Sequence, residues 1–176
     1  MDIEALKYPI GKYIPQPFSQ VLLAEWLLDL QALPNMVEHT ILNLDEDQLK
    51  TPYRPEGWTV HELVHHIADS HANAYIRFKL CLTEDNPVIK PYDEAAWAKL
   101  EDTVQLPVNV SLTLLHALHM RWHAALKDLP QEMWNRTVYH PEQEKTMSLW
   151  YLLGMYVWHG KHHVAHITSL RDRMHW

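Results

Sequence analysis

Apolar residues recur every three to four positions over several long stretches of the chain, and this spacing predicts helices. The first stretch runs from Ser19 to Leu44 and is interrupted by Pro34, so it forms either one kinked helix or two short ones. A second helix is predicted from about Thr59, whose hydroxyl can cap a helix, to Leu82.

Two further helices are predicted in the second half of the chain. One spans about Ser111 to Leu129 and carries an apolar stripe, and the other begins at Ser148 and ends near Met174. The alternation of polar and apolar residues that would indicate strands is nearly absent. The sequence therefore predicts an all-α fold in which three or four long helices pack as a bundle.

Prolines mark the segments between these helices. Residues 1–17 contain Pro9, Pro15 and Pro17 and are predicted to form an extended arm on the domain. The segment 83–109 also contains three prolines, which surround the stretch DEAAWAKLED, and it is predicted to be a long excursion with one short extra helix. Such excursions often cover a site. The polar connection LDEDQLKTPYRPEGW excludes a long helix.

Length and apolar content limit the architecture and the location. A chain of 176 residues is expected to form one domain, residues 1–176. No stretch approaches the roughly 20 apolar residues of a membrane span, and the acidic, proline-containing amino terminus does not resemble a secretory signal. Cys81 is the only cysteine and lies on an apolar face, which predicts a buried, inert thiol. We expect a cytoplasmic protein without a membrane partner.

The charge and the glycine content exclude two classes of binding protein. A net charge of −7 without any Lys/Arg cluster argues against a nucleic-acid partner, because such binding depends on basic side chains that neutralise phosphates. Four glycines are too few for a phosphate-cradling loop. The unusual feature of the composition is its fourteen histidines.

The last predicted helix contains the string WHGKHHVAH, which offers two pairs of histidines spaced four residues apart. Side chains with this spacing point the same way on a helix, as ligands of one metal ion must. On a helical wheel, His163 lies about 20° and His159 about 60° from the apolar face, whereas His166 lies about 80° and His162 about 120° away. The pair His159 and His163 is therefore favoured.

The second helix contains a literal HExxH pentad, the pattern of zinc proteases, in His61, Glu62 and His65. The apolar face of this helix is centred on the opposite side, so His61 and His65 are expected to face solvent. The pentad is therefore not favoured as the metal site.

A polar stripe runs beside the apolar face of the same helix and contains His66, Ser70, Asn73 and Arg77. This is the pattern expected of a site inside a helical bundle. Asp69, one turn beyond His66, is a candidate to orient that ligand through a hydrogen bond. Patterns alone leave two readings open, a metal site within the histidine set or structural histidines.

Two other histidines compete for the same role. His71 and His119 fall nearer the centres of the apolar faces of their own helices. A single histidine on an apolar face is more often a hydrogen-bonded core residue than a ligand.

At several places the chain resembles the DinB/YfiT-like superfamily. The resemblance is carried by TPYRPEGWTVHELVHHIADSHANAYIRFKL and MYVWHGKHHVAHI, and also by YPIGKY, KPYDEAAW and the YHPE loop. The central motif of this family places a histidine in HIAD and two histidines in HGKHH. In this chain these are His66, His159 and His163.

The resemblance implies a four-helix bundle with a three-histidine site for one divalent ion, zinc or nickel, and commonly a homodimer. It also implies an enzyme, since members are described as metal-dependent hydrolases or as S-transferases that use bacillithiol or a similar low-molecular-weight thiol. The family motif does not require His61, His116, His123 or His162, which are interpreted as surface or pocket-lining residues.

Three neutral imidazoles leave a coordination position open, as in catalytic zinc sites. Such an ion can bring bound water to a pKa near ~7 or hold a thiol as its thiolate. Among nearby carboxylates neither Glu62 nor Asp69 is a convincing base, whereas Arg77, Asn73 and Tyr75 are available to anchor a carboxylate-bearing thiol.

The prediction is a metal-dependent hydrolase that acts on a small molecule. The alternatives are a thiol S-transferase and a non-catalytic metal-binding bundle, in which a fourth ligand such as His119 or His162 would close the site.

Overall fold

A computed structural model describes residues 3–176. The described chain contains eight α-helices, a short 3-10 turn and one two-stranded hairpin. In chain order they are α1 (Ile3–Lys7), α2 (Gln20–Ile41), α3 (Glu46–Leu49), α4 (Val60–Thr83), α5 (Glu94–Trp97), α6 (Glu101–Gln105), α7 (Val108–Leu126), the 3-10 turn Gln131–Asn135, β1 (Thr137–His140), β2 (Lys145–Ser148) and α8 (Leu149–Met174).

The long helices α2, α4, α7 and α8 form a four-helix bundle, which confirms the predicted fold class. Helix α2 packs against α7 and α8, and α4 packs against the same two helices. Helices α2 and α4 therefore lie at diagonal corners of the bundle, as do α7 and α8. The chain must cross an end of the bundle to join each diagonal pair, and this explains the long connections 42–59 and 127–148.

Several predicted bounds need correction. Helix α2 continues through Pro34, so the first stretch is one helix. The excursion carries two short helices, α5 and α6, and the prediction of a single one is wrong because Leu100 adopts an extended backbone between them. Residues 3–7 form helix α1, so the prediction of a fully extended arm is wrong there, and residues 1–2 lie outside the described part of the chain.

The hairpin is a further correction, because the sequence indicates almost no strands. Strands β1 and β2 pair in antiparallel register with Val138 opposite Met147. Each strand has only four residues, too few for alternation to stand out. Both Val138 and Met147 are buried, so the hairpin closes the end of the bundle nearest Phe78.

The interior contains two apolar clusters, and a layer of histidines lies between them along the helices. One cluster includes Phe78 and Trp122, and the other includes Val37 and Leu115. Between the residues that each helix gives to these clusters lie His71 on α4, His119 on α7, and His159 and His163 on α8. His66 on α4 lies at the edge of the second cluster, next to Ile67, and its ring contacts those of His159 and His163, so it belongs to the same layer.

Close approach of α2 and α8 beside this layer depends on Gly160. A Cβ atom at this position would lie 2.5 Å from a methyl carbon of Leu33, well inside van der Waals contact. Within residues 3–176, no helix combines the length and the apolarity needed to cross a bilayer.

Candidate metal centre

Three histidines from two helices converge in the histidine layer. His66 comes from α4, and His159 and His163 come from successive turns of α8. Each offers one ring nitrogen, and these nitrogens all lie within 4.8 Å of one another. The Nε2 atoms of His159 and His163 are 3.0 Å apart. Three imidazoles at this spacing, without a carboxylate or thiolate, match the ligand set of a catalytic divalent-metal site.

Both helices that carry these histidines begin at well-formed caps. The hydroxyl of Thr59 accepts a hydrogen bond from the Glu62 backbone N–H, and the Glu62 carboxylate accepts one from the Thr59 N–H in return. The hydroxyl of Ser148 accepts from the Tyr151 N–H and starts α8. These caps fix where each helix begins, and so they fix the register in which the ligand positions face each other.

Burial keeps the three imidazoles neutral. Removal from water lowers the pKa of His66 to about 4. The pKa values of His159 and His163 lie well below the ordinary value, first because of burial and then because of repulsion among the clustered rings. A metal ion binds the neutral ring, so at neutral pH no proton needs to be displaced from the coordinating nitrogens. The donor set therefore fits a divalent ion.

The ring of His66 packs against the indole of Trp58, with 4.4 Å between ring centroids. Asp69, the predicted orienting group, makes no side-chain hydrogen bond to His66 within residues 3–176; its backbone carbonyl instead accepts from the Asn73 side chain. Burial raises the pKa of the Asp69 carboxyl to about 6, with Asp102 as a second, repulsive cause.

The two competing histidines lie behind the site, where His71 contacts His159 and His119 contacts His71. His71 and His119 are completely or almost completely buried. Their rings stack with 5.0 Å between centroids, and His71 Nδ1 lies 3.0 Å from His119 Nε2. His71 Nε2 lies 3.5 Å from His159 Nδ1, the nitrogen on the side of the ring away from His163.

The second histidine pair of α8 is also buried, contrary to the wheel. His162 and His166 are 7% and 3% exposed, and their Nε2 atoms are 3.0 Å apart. The expectation that His162 lies at the surface or in a pocket is wrong, because Tyr8 and Trp158 cover its ring. With His163, this pair forms a second group whose nitrogens lie within 4.8 Å of one another.

The HExxH pentad does not form a metal site. His61 Nε2 is 2.7 Å from the Thr103 carbonyl, and both nitrogens of His65 are occupied by the Leu106 carbonyl and the Ser111 hydroxyl. The expectation that His65 faces solvent is wrong, because the end of the excursion covers that side of α4. Glu62 is used in the helix cap described above.

A cavity of about 260 Å³ opens beside the histidine layer, and His159 forms part of its wall. Ser70 and Arg77 from α4 line this cavity, whereas Asn73 and Asp69 do not. The guanidinium of Arg77 donates to the hydroxyl of Tyr156 at 2.6 Å and to the Lys90 carbonyl at 3.3 Å. Two of the four predicted pocket residues therefore line the same cavity as the candidate ligand His159.

Residues of the excursion and the hairpin, which the sequence reasoning missed, complete the cavity. Tyr92 and Glu94 belong to the excursion, and His140 lies at the end of β1. Backbone hydrogen bonds join the excursion to the hairpin, from the Ile89 N–H to the Tyr139 carbonyl and from the Tyr139 N–H to the Pro87 carbonyl. The sequence predicts that the excursion covers a site, and the excursion does form part of the cavity wall. No periodic pattern in the sequence identifies the individual residues that line the cavity.

Cys81 is completely buried, and burial raises the pKa of its thiol to about 11. This agrees with the prediction of an inert thiol.

Known proteins resemble the chain over nearly its whole length. The DinB superfamily matches residues 29–167. A protein of Oceanobacillus iheyensis is 48% identical over 171 residues, which cover 97% of this chain and 98% of that protein. A protein of Bacillus cereus is 50% identical over 172 residues with the same coverage. Both names begin "Putative metal-dependent hydrolase".

A solved structure agrees with the fold in detail. YfiT from Bacillus subtilis superposes with a TM-score of 0.95 at 46% identity, over 98% of this chain and 99% of that one. It is described as "a probable metal-dependent hydrolase with an unusual four-helix bundle topology". The diagonal connections from α2 to α4 and from α7 to α8 depart from the simple up-and-down order of such bundles.

Proposed function

The chain belongs to the DinB superfamily, and we propose that it is a metal-dependent hydrolase of a small molecule, with one divalent ion held by His66, His159 and His163. The names of its relatives support the hydrolase class. Zinc is the proposed ion, because three neutral imidazoles suit it, and nickel is the second choice.

The observation that carries the proposal is the position of His159. This residue belongs both to the cluster of three histidines and to the wall of the cavity. A site that serves only to staple two helices does not need to adjoin a cavity. An ion at the three histidines supplies Lewis-acid chemistry, which activates water or polarises a substrate oxygen.

The remaining cavity residues orient a polar substrate. Arg77 presents a fixed guanidinium, which suits a carboxylate or another anionic group on the substrate. Glu94 and Glu142 are the carboxylates of the wall, and burial raises the pKa of Glu94. We assign proton transfer to the Glu94 carboxylate because it lines the same cavity as His159, and its raised pKa suits a general base. The size of the cavity limits the substrate to a small molecule.

Location and assembly remain predictions. A cytoplasmic location is supported by the single, buried cysteine. Homodimer formation is implied by the family resemblance alone.

A turnover assay on zinc-loaded and chelator-treated protein tests the proposed class. The substrates are p-nitrophenyl esters in ¹⁸O-labelled water, and an electrophilic aromatic chloride with and without L-cysteine. The hydrolase proposal predicts metal-dependent ester cleavage with ¹⁸O in the acid product. Thiol-dependent loss of chloride without ester cleavage would instead make the protein an S-transferase.

Two variants separate binding from chemistry in this assay. Arg77→Met is expected to raise KM for an anionic ester more than it lowers kcat, and Glu94→Gln is expected to lower kcat. Equal turnover in the zinc-loaded and the chelated protein would contradict the proposal.

A further inference from the structure

We propose that His71 and His119 are positioning residues that set the tautomer of His159, through a line of hydrogen bonds that ends at the backbone carbonyl of Leu30. The inference rests on the proposed function in one respect, because it takes His159 as a metal ligand. The line crosses the histidine layer and takes one group from each helix of the bundle, namely α8, α4, α7 and α2.

The line begins at a carbonyl that a proline has freed. In an α-helix the carbonyl of residue 30 accepts from the N–H of residue 34, but Pro34 has no N–H. The Leu30 carbonyl is therefore available, and His119 Nδ1 lies 2.5 Å from it. Both residues are buried, so water does not compete for this acceptor. Pro34 thus supplies the free acceptor at which the line starts.

The carbonyl determines every proton position along the line. A carbonyl oxygen can only accept, so His119 carries its proton on Nδ1. The ring is neutral, so Nε2 of His119 must accept, and His71 Nδ1 donates to it across 3.0 Å. Nε2 of His71 is then an acceptor for His159 Nδ1, which lies 3.5 Å away and is the longest contact of the line.

The last step leaves the lone pair of His159 on Nε2. This is the nitrogen that lies 3.0 Å from His163 Nε2 and faces the candidate metal position. The Nδ1–H form is the less common tautomer of a free imidazole, so the line selects it. Partners that hold the second nitrogen of a ligand histidine typically tune metal affinity by 10- to 100-fold.

A purely structural role for His71 and His119 would not require each ring to donate from Nδ1 and accept at Nε2. The rings of His71 and His119 pack on the buried indole of Trp122, and apolar side chains would fill the same volume. Two buried imidazoles that must each find a donor and an acceptor are a costly way to fill a core. The uninterrupted donor-to-acceptor order from His159 to Leu30 accounts for both of them.

The direct test is the tautomer of each histidine in the metal-free protein. Long-range ¹H–¹⁵N correlation spectra of chelator-treated, ¹⁵N-labelled protein at neutral pH distinguish Nδ1–H from Nε2–H. The proposal predicts Nδ1–H for His71, His119 and His159. An Nε2–H tautomer at His159 or His71 would overturn it. This measurement uses the wild-type chain and does not depend on whether any variant folds.

Zinc affinity of matched variants provides the second test. His119→Met removes the acceptor for His71, whereas His119→Gln keeps an amide oxygen that can accept from His71. The proposal predicts that His119→Met weakens zinc binding about 10- to 100-fold, with most of the loss recovered in His119→Gln. His65→Met is the control, because His65 is also buried and also loses hydrogen bonds in the variant. Its zinc affinity should equal that of the wild type.

The outcomes distinguish this proposal from the proposed function. Equal zinc affinity in wild type and His119→Met, with zinc still bound by the histidine cluster, would overturn the positioning role and leave the metal site standing. Absence of zinc binding by the wild type, with the predicted tautomers present, would contradict the metal site and leave the hydrogen-bonded line standing.

Discussion

Helix α8 carries two histidine pairs of the same spacing that differ in their surroundings. The Nε2 atoms are 3.0 Å apart in His159/His163 and also in His162/His166. The first pair meets His66 from α4 and adjoins the cavity. The second pair lies under aromatic rings, with His162 stacked on Trp158. Spacing on one helix therefore does not distinguish the two pairs. Within residues 3–176, only the first pair meets a histidine from a second helix, whereas the second pair groups with His163 of its own helix.

The two pairs also differ at the far nitrogen of their first histidine. His159 Nδ1 contacts His71 and, through it, His119. His162 Nδ1 is buried and has no hydrogen-bond partner within residues 3–176. A ligand histidine whose second nitrogen is held has one tautomer and one orientation. His159 is therefore held through its far nitrogen, whereas Nδ1 of His163, like Nδ1 of His162, is buried and has no hydrogen-bond partner within residues 3–176.

The largest expected effect separates the pairs by metal affinity. His163→Ala removes one of three ligands and should weaken zinc binding by more than about 100-fold, beyond the range of changes around a ligand. His166→Ala, the matched change in the other pair, should leave the zinc Kd unchanged. Isothermal titration of zinc into each metal-free variant measures both. Equal losses in the two variants would mean that the second group binds the ion.

Acid should destabilise the metal-free protein strongly. Burial lowers the pKa of His66 and His119 to about 4 from the ordinary 6.5. As pH falls below 6.5, these histidines bind protons in the unfolded chain but stay neutral in the folded chain. The free energy of unfolding therefore decreases as pH falls from 6.5 toward 4. Each such histidine contributes a slope of about 1.4 kcal/mol per pH unit.

Urea unfolding of chelator-treated protein between pH 7.5 and pH 5 measures this slope. In His119→Gln the slope should be smaller by about 1.4 kcal/mol per pH unit, because the variant lacks one histidine that takes up a proton on unfolding. An unchanged slope would show that His119 does not stay neutral in the folded state. Saturating zinc should raise stability above pH 6.5 in the wild type and not in His163→Ala.

A smaller effect is expected on stability from the second pair. His166→Ala should lower the free energy of unfolding by about 1–3 kcal/mol, since the ring packs on Tyr53 and contacts His162. Urea denaturation of the metal-free variant gives this value. A negligible change would mean that the second pair supports neither metal binding nor packing.

The smallest expected effect concerns the proline at the end of the hydrogen-bonded line. Pro34→Ala returns an N–H to α2 that competes with His119 for the Leu30 carbonyl. We expect zinc affinity to fall by about two- to tenfold, below the full effect of losing a supporting residue. Thermal denaturation serves as the control, because the same change should not weaken the helix. A lower melting temperature would attribute the affinity loss to damage of the fold.

The sequence predicted the helical bundle and identified three candidate histidines, which the fold brings close together. Periodicity located the long helices, because each needs an apolar stripe to bury. The wheel for α8 favoured His159 and His163, and the structure places both of them beside His66. The same wheel misplaced His162 and His166, and the wheel for α4 misplaced His65, because a wheel describes one helix and cannot show which loops cover its outer side.

The cavity was harder to predict for a related physical reason. Tyr92 and His140 reach it from the excursion and from β1, where no period connects a residue to a face. The link between Pro34 and the Leu30 carbonyl follows from helix geometry alone, but the partner that uses the carbonyl comes from α7. Contacts between elements distant in the chain leave no local signal.

The central claim is that His66, His159 and His163 hold one divalent ion. Elemental analysis of protein purified without added metal, for the wild type, the three single alanine variants of these residues and His65→Ala, tests it most directly. The account predicts about one zinc or nickel ion per chain in the wild type and in His65→Ala, and almost none in the three variants. Stoichiometric metal in all three variants, or its loss in His65→Ala alone, would contradict it.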